Sequence, residues 1–139
     1  MRKFEMTEKQ VSLRNKILQF LKNENWRFDD TNWFEENLWS QFEISSMYDN
    51  SNMIIELELS FENEHLNFIL NDHVSGREVF IVIKSFQNIV EVFKKVCDFK
   101  DSINSENFKD CINSLFEVTD SIFADDGTNN LVELSPNEL

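Results

Sequence analysis

Enzymatic and metal chemistry needs thiols, imidazoles, hydroxyls or carboxylates at particular spacings, and this chain offers mainly carboxylates. His65 and His73 are its only histidines, both near turns. With Glu64 and Asp72 they assemble into a metal site only on paper, because no paired cysteines and no histidines one helical turn apart accompany them. Cys97 and Cys111 are the only cysteines and fall at apolar positions of helical segments, where a buried free thiol is the expectation. No Cys-x-x-Cys, Gly-x-Ser-x-Gly, P-loop or dinucleotide-binding glycine pattern occurs, and two glycines in 139 residues leave little material for a phosphate loop. The 26 Asp and Glu are so many that no pair stands out as a general acid and base. The residues favour binding over catalysis and imply neither cofactor nor metal.

The carboxylates are unevenly placed. The formal net charge is −13, beyond the magnitude of roughly 2–8 usual for a small soluble domain. Residues 1–22 carry six bases against two acids, whereas residues 23–76 carry one base, Arg27, against twelve acids, a local net of −11. Such a field repels nucleic acid and anionic membrane and attracts basic surfaces. Glu56 and Glu58 share one face of a strand, with Glu62 and Glu64 just past its end. A solvated face explains part of this. The near-absence of compensating bases exceeds what solubility requires and points to an anionic face for a basic groove.

The elements that must position these side chains follow from periodicity. Thr7 with Gln10 forms a capping box, Met6 is placed to staple onto Val11, and Val11 to Leu21 carry an apolar helical face that ends at Asn23-Glu24-Asn25. Residues 26–48 are crowded with aromatics: Trp26–Phe28 reads as a short strand, Leu38–Met47 as a longer one, and the stretch between as a loop or one helical turn. The tryptophans suit either the core or an interface, and one of Trp33, Phe34 or Trp39 is expected to be exposed. Met53, Ile55, Leu57, Leu59 and Phe61 alternate with Ile54, Glu56, Glu58 and Ser60, the pattern of a half-buried strand; Leu66, Phe68 and Leu70 return to the same core. Val79–Ile83 is nearly continuous in apolar residues, as in a strand covered on both sides. Two helices follow, one capped by Ser85 and carrying Phe86 to Cys97, the other capped by Ser105 and carrying Phe108 to Ile122. The expected architecture is α+β in the order α-β-β-β-β-α-α, an antiparallel sheet with helices on one face: a single domain over residues 1–124 and a mobile acidic tail over 125–139. Fourteen Phe and three Trp supply the core. The start lacks the apolar stretch of a signal peptide and no run reaches the roughly eighteen residues of a membrane span, so a reducing cytoplasm is the expected compartment.

In architecture and charge the chain resembles small phage-encoded anti-CRISPR inhibitors, some of which are acidic α-β-β-β-α-α domains occupying a Cas nuclease's DNA-binding groove as DNA mimics. The residues behind the resemblance are the acidic strands, the helix with Asn88-Ile89-Val90-Glu91-Val92-Phe93, the Phe108 helix and the acidic end; the segment 26–48 is additional. The chain is similar also to immunity proteins that neutralise nuclease toxins. The resemblance implies a non-enzymatic inhibitor of a basic, nucleic-acid-handling protein, with carboxylates standing in for phosphates. The charge distribution nominates Asp29, Asp30, Glu35, Glu36, Glu56, Glu58, Glu62 and Glu64 as contacts, with Trp33 and Trp39 as aromatic anchors. The competing expectation is an interaction module or secretion chaperone that holds a client through apolar surface.

Overall fold

The computed structural model describes residues 5–29, 42–84, 86–125, 128 and 130–138. Helix α1 (Glu8–Asn23) starts at the expected capping box: the Gln10 N–H donates to Thr7 Oγ1 at 3.1 Å, and the Thr7 N–H donates to Gln10 Oε1 at 2.9 Å. Gln10 Nε2 also donates to the Phe61 carbonyl at 3.1 Å, which ties the helix start to the sheet. Val11 is exposed instead of meeting Met6, which packs on the core; the buried stripe is the narrower Ile17, Leu18 and Leu21. The helix stops where Asn25 takes a left-handed conformation (φ 64°) and the Trp26 N–H reaches back to the Leu21 carbonyl at 2.9 Å.

Five strands follow: β1 (Arg27–Asp29), β2 (Glu43–Asp49), β3 (Met53–Ser60), β4 (His65–Asp72) and β5 (Glu78–Ile83). Each pairs antiparallel with the next. Short turns hold the registers. Asn50 Oδ1 accepts from the Asn52 and Met53 N–H groups, while its Nδ2 donates to the Lys100 and Ile103 carbonyls and anchors the β2–β3 turn to the helical layer. Asp72 closes the β4–β5 turn: its carboxylate accepts from the Val74 N–H at 2.8 Å and from Ser75 Oγ at 2.9 Å, and its carbonyl accepts from Gly76, whose φ of 71° suits glycine.

The second half departs from the sequence expectation. A 3-10 turn (Phe86–Asn88) leads into α2 (Ile89–Phe99); the expected cap, Ser85, lies outside the described residues. Helix α3 covers only Phe108–Ser114, starting after a turn that Asn104 and Asn107 build by hydrogen bonding across each other, so Asn107 and not Ser105 precedes it. It tightens into a 3-10 turn (Leu115–Glu117) and ends. Thr119 Oγ1 then accepts from the Ser121 N–H, the Ser121 carbonyl accepts from Lys84, and the chain joins the sheet as β6 (Ile122–Asp125) beside β5. Ile122 sits one helical turn beyond Thr119, so its apolar character fits a helix face or a strand equally, and pairing with Ile83 decides the matter. The segment read as a tail carries β7 (Leu131–Glu133), paired with β6.

Among the described residues the order is therefore one N-terminal helix, five strands, two helices and two more strands, with these seven strands in a single open antiparallel sheet ordered as in the sequence. The helices bury Ile17, Leu21, Val92, Phe93, Val96 and Ile112 against Ile55, Leu57, Leu66, Phe68, Leu70 and Ile81 of one sheet face. Phe61 stacks edge-on against Phe86 with centroids 5.7 Å apart, and Phe68 against Phe99 at 6.4 Å. No helix among the described residues is long and apolar enough to cross a membrane.

Truncating the fully buried Phe68 to Ala should destabilise the protein by about 3–5 kcal/mol, a large part of the roughly 5–15 kcal/mol that folds a domain. Leu131→Ala on β7 should change stability by no more than about 0.5 kcal/mol, because that side chain is exposed. Urea denaturation of the two variants measures both.

Candidate functional site

With the helices on one face, the registers determine what the other face displays. Cross-strand partners point to the same side of a sheet. One row across it reads Met47, Glu56, Ile69, Phe80, and the next reads Ser45, Glu58, Asn67, Val82, Phe123, Glu133. A third row joins Asp49, Ile54, Asn71 and Glu78. The open face thus has two parts. Its β2–β3 half is anionic, with Glu43, Asp49, Glu56 and Glu58, and Arg27 at its edge. Its β4–β6 half is apolar, with half-buried Ile69, Phe80 and Phe123 around a buried Val82. Lys84 Nζ sits 4.3 Å from the centroid of the Phe123 ring.

The charges on this face are close enough to be felt. The Glu56 carboxyl is held above the ordinary carboxylate range, first by partial burial and then by repulsion from Glu58 and Glu78. Beside it a shallow cleft of about 410 Å³ opens between Arg27, Phe28, Ser45, Ser46, Met47, Glu56 and Glu58. Arg27 Nη2 lies 3.1 Å from Met47 Sδ, a weak acceptor. A second hollow of about 160 Å³ lies between Glu43, Glu58, Asn63, His65 and Asn67. A cationic side chain placed here would meet two or three carboxylates and relieve their mutual repulsion.

Of the residues nominated from sequence, Glu56 and Glu58 stand together on the open face as expected. Glu62 and Glu64 are exposed in the β3–β4 turn at its margin. Asp29 pairs through its backbone with Ser45. Asp30, Trp33, Glu35, Glu36 and Trp39 lie outside the described residues. Sequence reasoning passed over Glu78 and left Asp125 and Glu133 in an acidic tail, whereas all three come from distant strands to join the same face; the turn lengths that set strand register were the available signal. Asp72, counted among the acids, is buried on the helix side of β4, and hydrogen bonds from Val74 and Ser75 keep its carboxyl below its usual range. Asp49 is likewise held low, by the Ser51 N–H first and by His73, whose Nε2 is 3.4 Å away.

The other titratable clusters are structural. His65 and His73 stand at opposite ends of β4, and no three metal-ligating side chains converge among the described residues. Lys100 is buried with its Nζ 4.1 Å from the Tyr48 ring centroid and 3.3 Å from Asp101 Oδ2, and the Tyr48 hydroxyl donates to Asp101. Trp26 packs against Tyr48 at 5.4 Å and belongs to the core. Its buried Nε1 has no partner of normal hydrogen-bond geometry; the group it influences is the Cys97 thiol, a weak acceptor. Burial raises the thiol pKa of Cys97 and of Cys111. No protein-family model, characterised protein or solved structure matches the chain.

Because the folded pKa of Glu56 is raised, the folded state keeps this proton longer than the unfolded chain. Its contribution is most favourable below the unfolded value of about 4.3 and is lost as pH rises through the folded value. Glu56→Gln should therefore be more stable than the parent at neutral pH, by up to about 0.5 kcal/mol, and indistinguishable from it near pH 3.5; paired denaturant titrations at both pH values read the difference. Native Cys97 and Cys111 should react with a disulfide-exchange thiol reagent much more slowly than the denatured chain at the same pH, since thiolate and access are both suppressed.

Proposed function

We propose that this protein is a non-enzymatic inhibitor that binds a basic, nucleic-acid-handling protein, such as a Cas nuclease or a nuclease toxin, in the cytoplasm and blocks its nucleic-acid site. The supporting observation is the anionic half of the open sheet face, where Glu43, Asp49, Glu56 and Glu58 are displayed on adjacent strands with Arg27 as the nearby base. The raised Glu56 pKa is consistent with this, because partial burial first and then repulsion from Glu58 and Glu78 disfavour its charge, which an incoming Lys or Arg would favour. Inhibition is steric and electrostatic: carboxylates take the place of phosphates on the partner's basic surface, and charge steering speeds encounter.

The second reading, an interaction module or chaperone holding a client through apolar surface, has its own support in Ile69, Phe80, Val82 and Phe123 on the same face. Salt separates the two, since association steered by exposed charge slows with ionic strength and apolar docking does not.

The test is nucleic-acid cleavage by a broad panel of purified Cas nucleases and nuclease toxins, with and without this protein. Inhibition of at least one member is expected, weakening at high salt. Joint reversal of Glu43, Glu56 and Glu58 to Lys should abolish it while circular dichroism shows the fold intact, because removing one partner of a buried interfacial charge pair costs roughly 2–5 kcal/mol, much of it from leaving the other charge unpaired. The pair Lys9→Glu and Lys16→Glu on α1 is the control and should inhibit like the parent. A folded reversal variant that still inhibits, or a panel left wholly active, would sink the reading.

A further inference from the structure

β7 ends the sheet, and among the described residues no strand lies beyond it. The register fixes which backbone groups that edge presents. The Leu134 N–H donates to the Ile122 carbonyl at 2.8 Å, so these two residues form a hydrogen-bonded pair. Bonded and non-bonded pairs alternate along an antiparallel ladder. Ala124 and Val132 are therefore the next bonded pair, while Phe123 with Glu133 and Asp125 with Leu131 are non-bonded. The N–H and C=O groups of Leu131 and Glu133 consequently point away from β6.

Natural sheet edges are blunted by short strands, charged side chains (lysine above all), proline, bulges or a covering element. β7 is short, at three residues, and its one charge is the acid Glu133; it contains neither lysine nor proline, and its pairing with β6 runs without a bulge. Leu131 is 41% exposed and Val132 47%, two of the four large apolar side chains exposed among the described residues. Leu131 and Glu133 lie on the open face, with Phe123 and Val82, and Val132 lies on the helix side. This strand has free hydrogen-bonding groups and an apolar contact on each face, which is what an incoming strand uses in strand addition.

We infer that the β7 edge accepts an extended basic segment of another protein as an eighth strand. Charge selects that occupant over a second copy of this chain. Glu133 stands on the edge, Asp125 is opposite Leu131, and Glu138 is exposed nearby. Pairing of two copies about Val132 would bring these acids together on chains each carrying −13. A Lys or Arg opposite Glu133 instead forms a cross-strand ion pair, and an apolar residue two positions away meets Leu131. The recognised pattern is an apolar residue, any residue, then a basic one. This site is separate from the anionic β2–β3 surface and stands whether or not that surface inhibits a nuclease.

The experiment uses the capped peptide Thr-Val-Thr-Lys-Thr-Val-Thr and a counterpart with Glu for Lys, with binding read by fluorescence titration and amide exchange by NMR. The Lys peptide is expected to bind better and to slow exchange at the Leu131 and Glu133 amides. Leu131→Pro removes one outward donor without touching the β6 ladder and should weaken binding about tenfold. Glu133→Lys is a surface change that preserves the fold and should reverse the preference toward the Glu peptide, so the inference remains falsifiable even where the proline variant unfolds. Joint reversal of Glu43, Glu56 and Glu58 to Lys should leave this binding in place. Slowed exchange spread over the acidic face with the β7 amides unchanged, unaltered preference in Glu133→Lys, or a parent dimer that itself buries β7 would each overturn it.

Discussion

The eight-residue ladder between β3 and β4, from Met53 opposite Asp72 to Ser60 opposite His65, is the constraint on which the rest of the molecule depends. Side chains alternate along a strand, so a slip of one residue would send Glu56 and Glu58 into the core and Leu57 and Leu59 into water. Burying those carboxylates unpaired would far exceed any hydrogen bonding regained. The apolar set therefore locks the register, and the register in turn aligns the acids with Met47, Ile69 and Phe80 on the open face. The Asn50 and Asp72 turns act together at the Met53–Asp72 end of that lock, satisfying backbone groups that a slipped pairing would strand.

One-sided coverage is the second consequence. All the described helices contribute their buried residues to one core with one sheet face, which lets large aromatics such as Phe61, Phe68 and Phe93 be fully enclosed. The other face is left to reconcile a crowd of carboxylates with an apolar strip from β4 to β6. Partial burial of the Glu56 charge and its repulsion by Glu58 and Glu78 are tolerable because the core supplies stability elsewhere. That surface mixes carboxylates with half-buried ring and aliphatic area, and the proposed partner would neutralise the first and bury the second.

How far the candidate site was legible follows the same logic. Glu56 and Glu58 could be placed on one face from a period-two pattern alone, because that pattern sits within one strand. Glu78 and Glu133 could not, since their neighbourhood with β3 or β6 depends on which strands pair and in what register. Asp72 shows the converse: its charge counted toward an anionic surface, yet its side chain is spent inside a turn, a use that only the chain reversal at Gly76 reveals.

The sequence by itself determined the fold class, the first helix with its capping box, the alternating strands and the acidic character, because each is encoded in contacts among residues near one another in the chain. Tertiary structure alone decided the end of α3, the return of Ile122–Asp125 to the sheet and the edge strand beyond it. A stretch such as Leu115 to Ile122 satisfies helical and extended periods alike, and isolated short helices are marginal in water. An open β5 edge offers the Ser121 carbonyl the Lys84 N–H and offers Ile122 packing against Ile83, neither of which extension of a helix could supply. Pairing across roughly forty intervening residues won over local periodicity there, since backbone groups left unpaired at a buried strand carry the larger free-energy penalty.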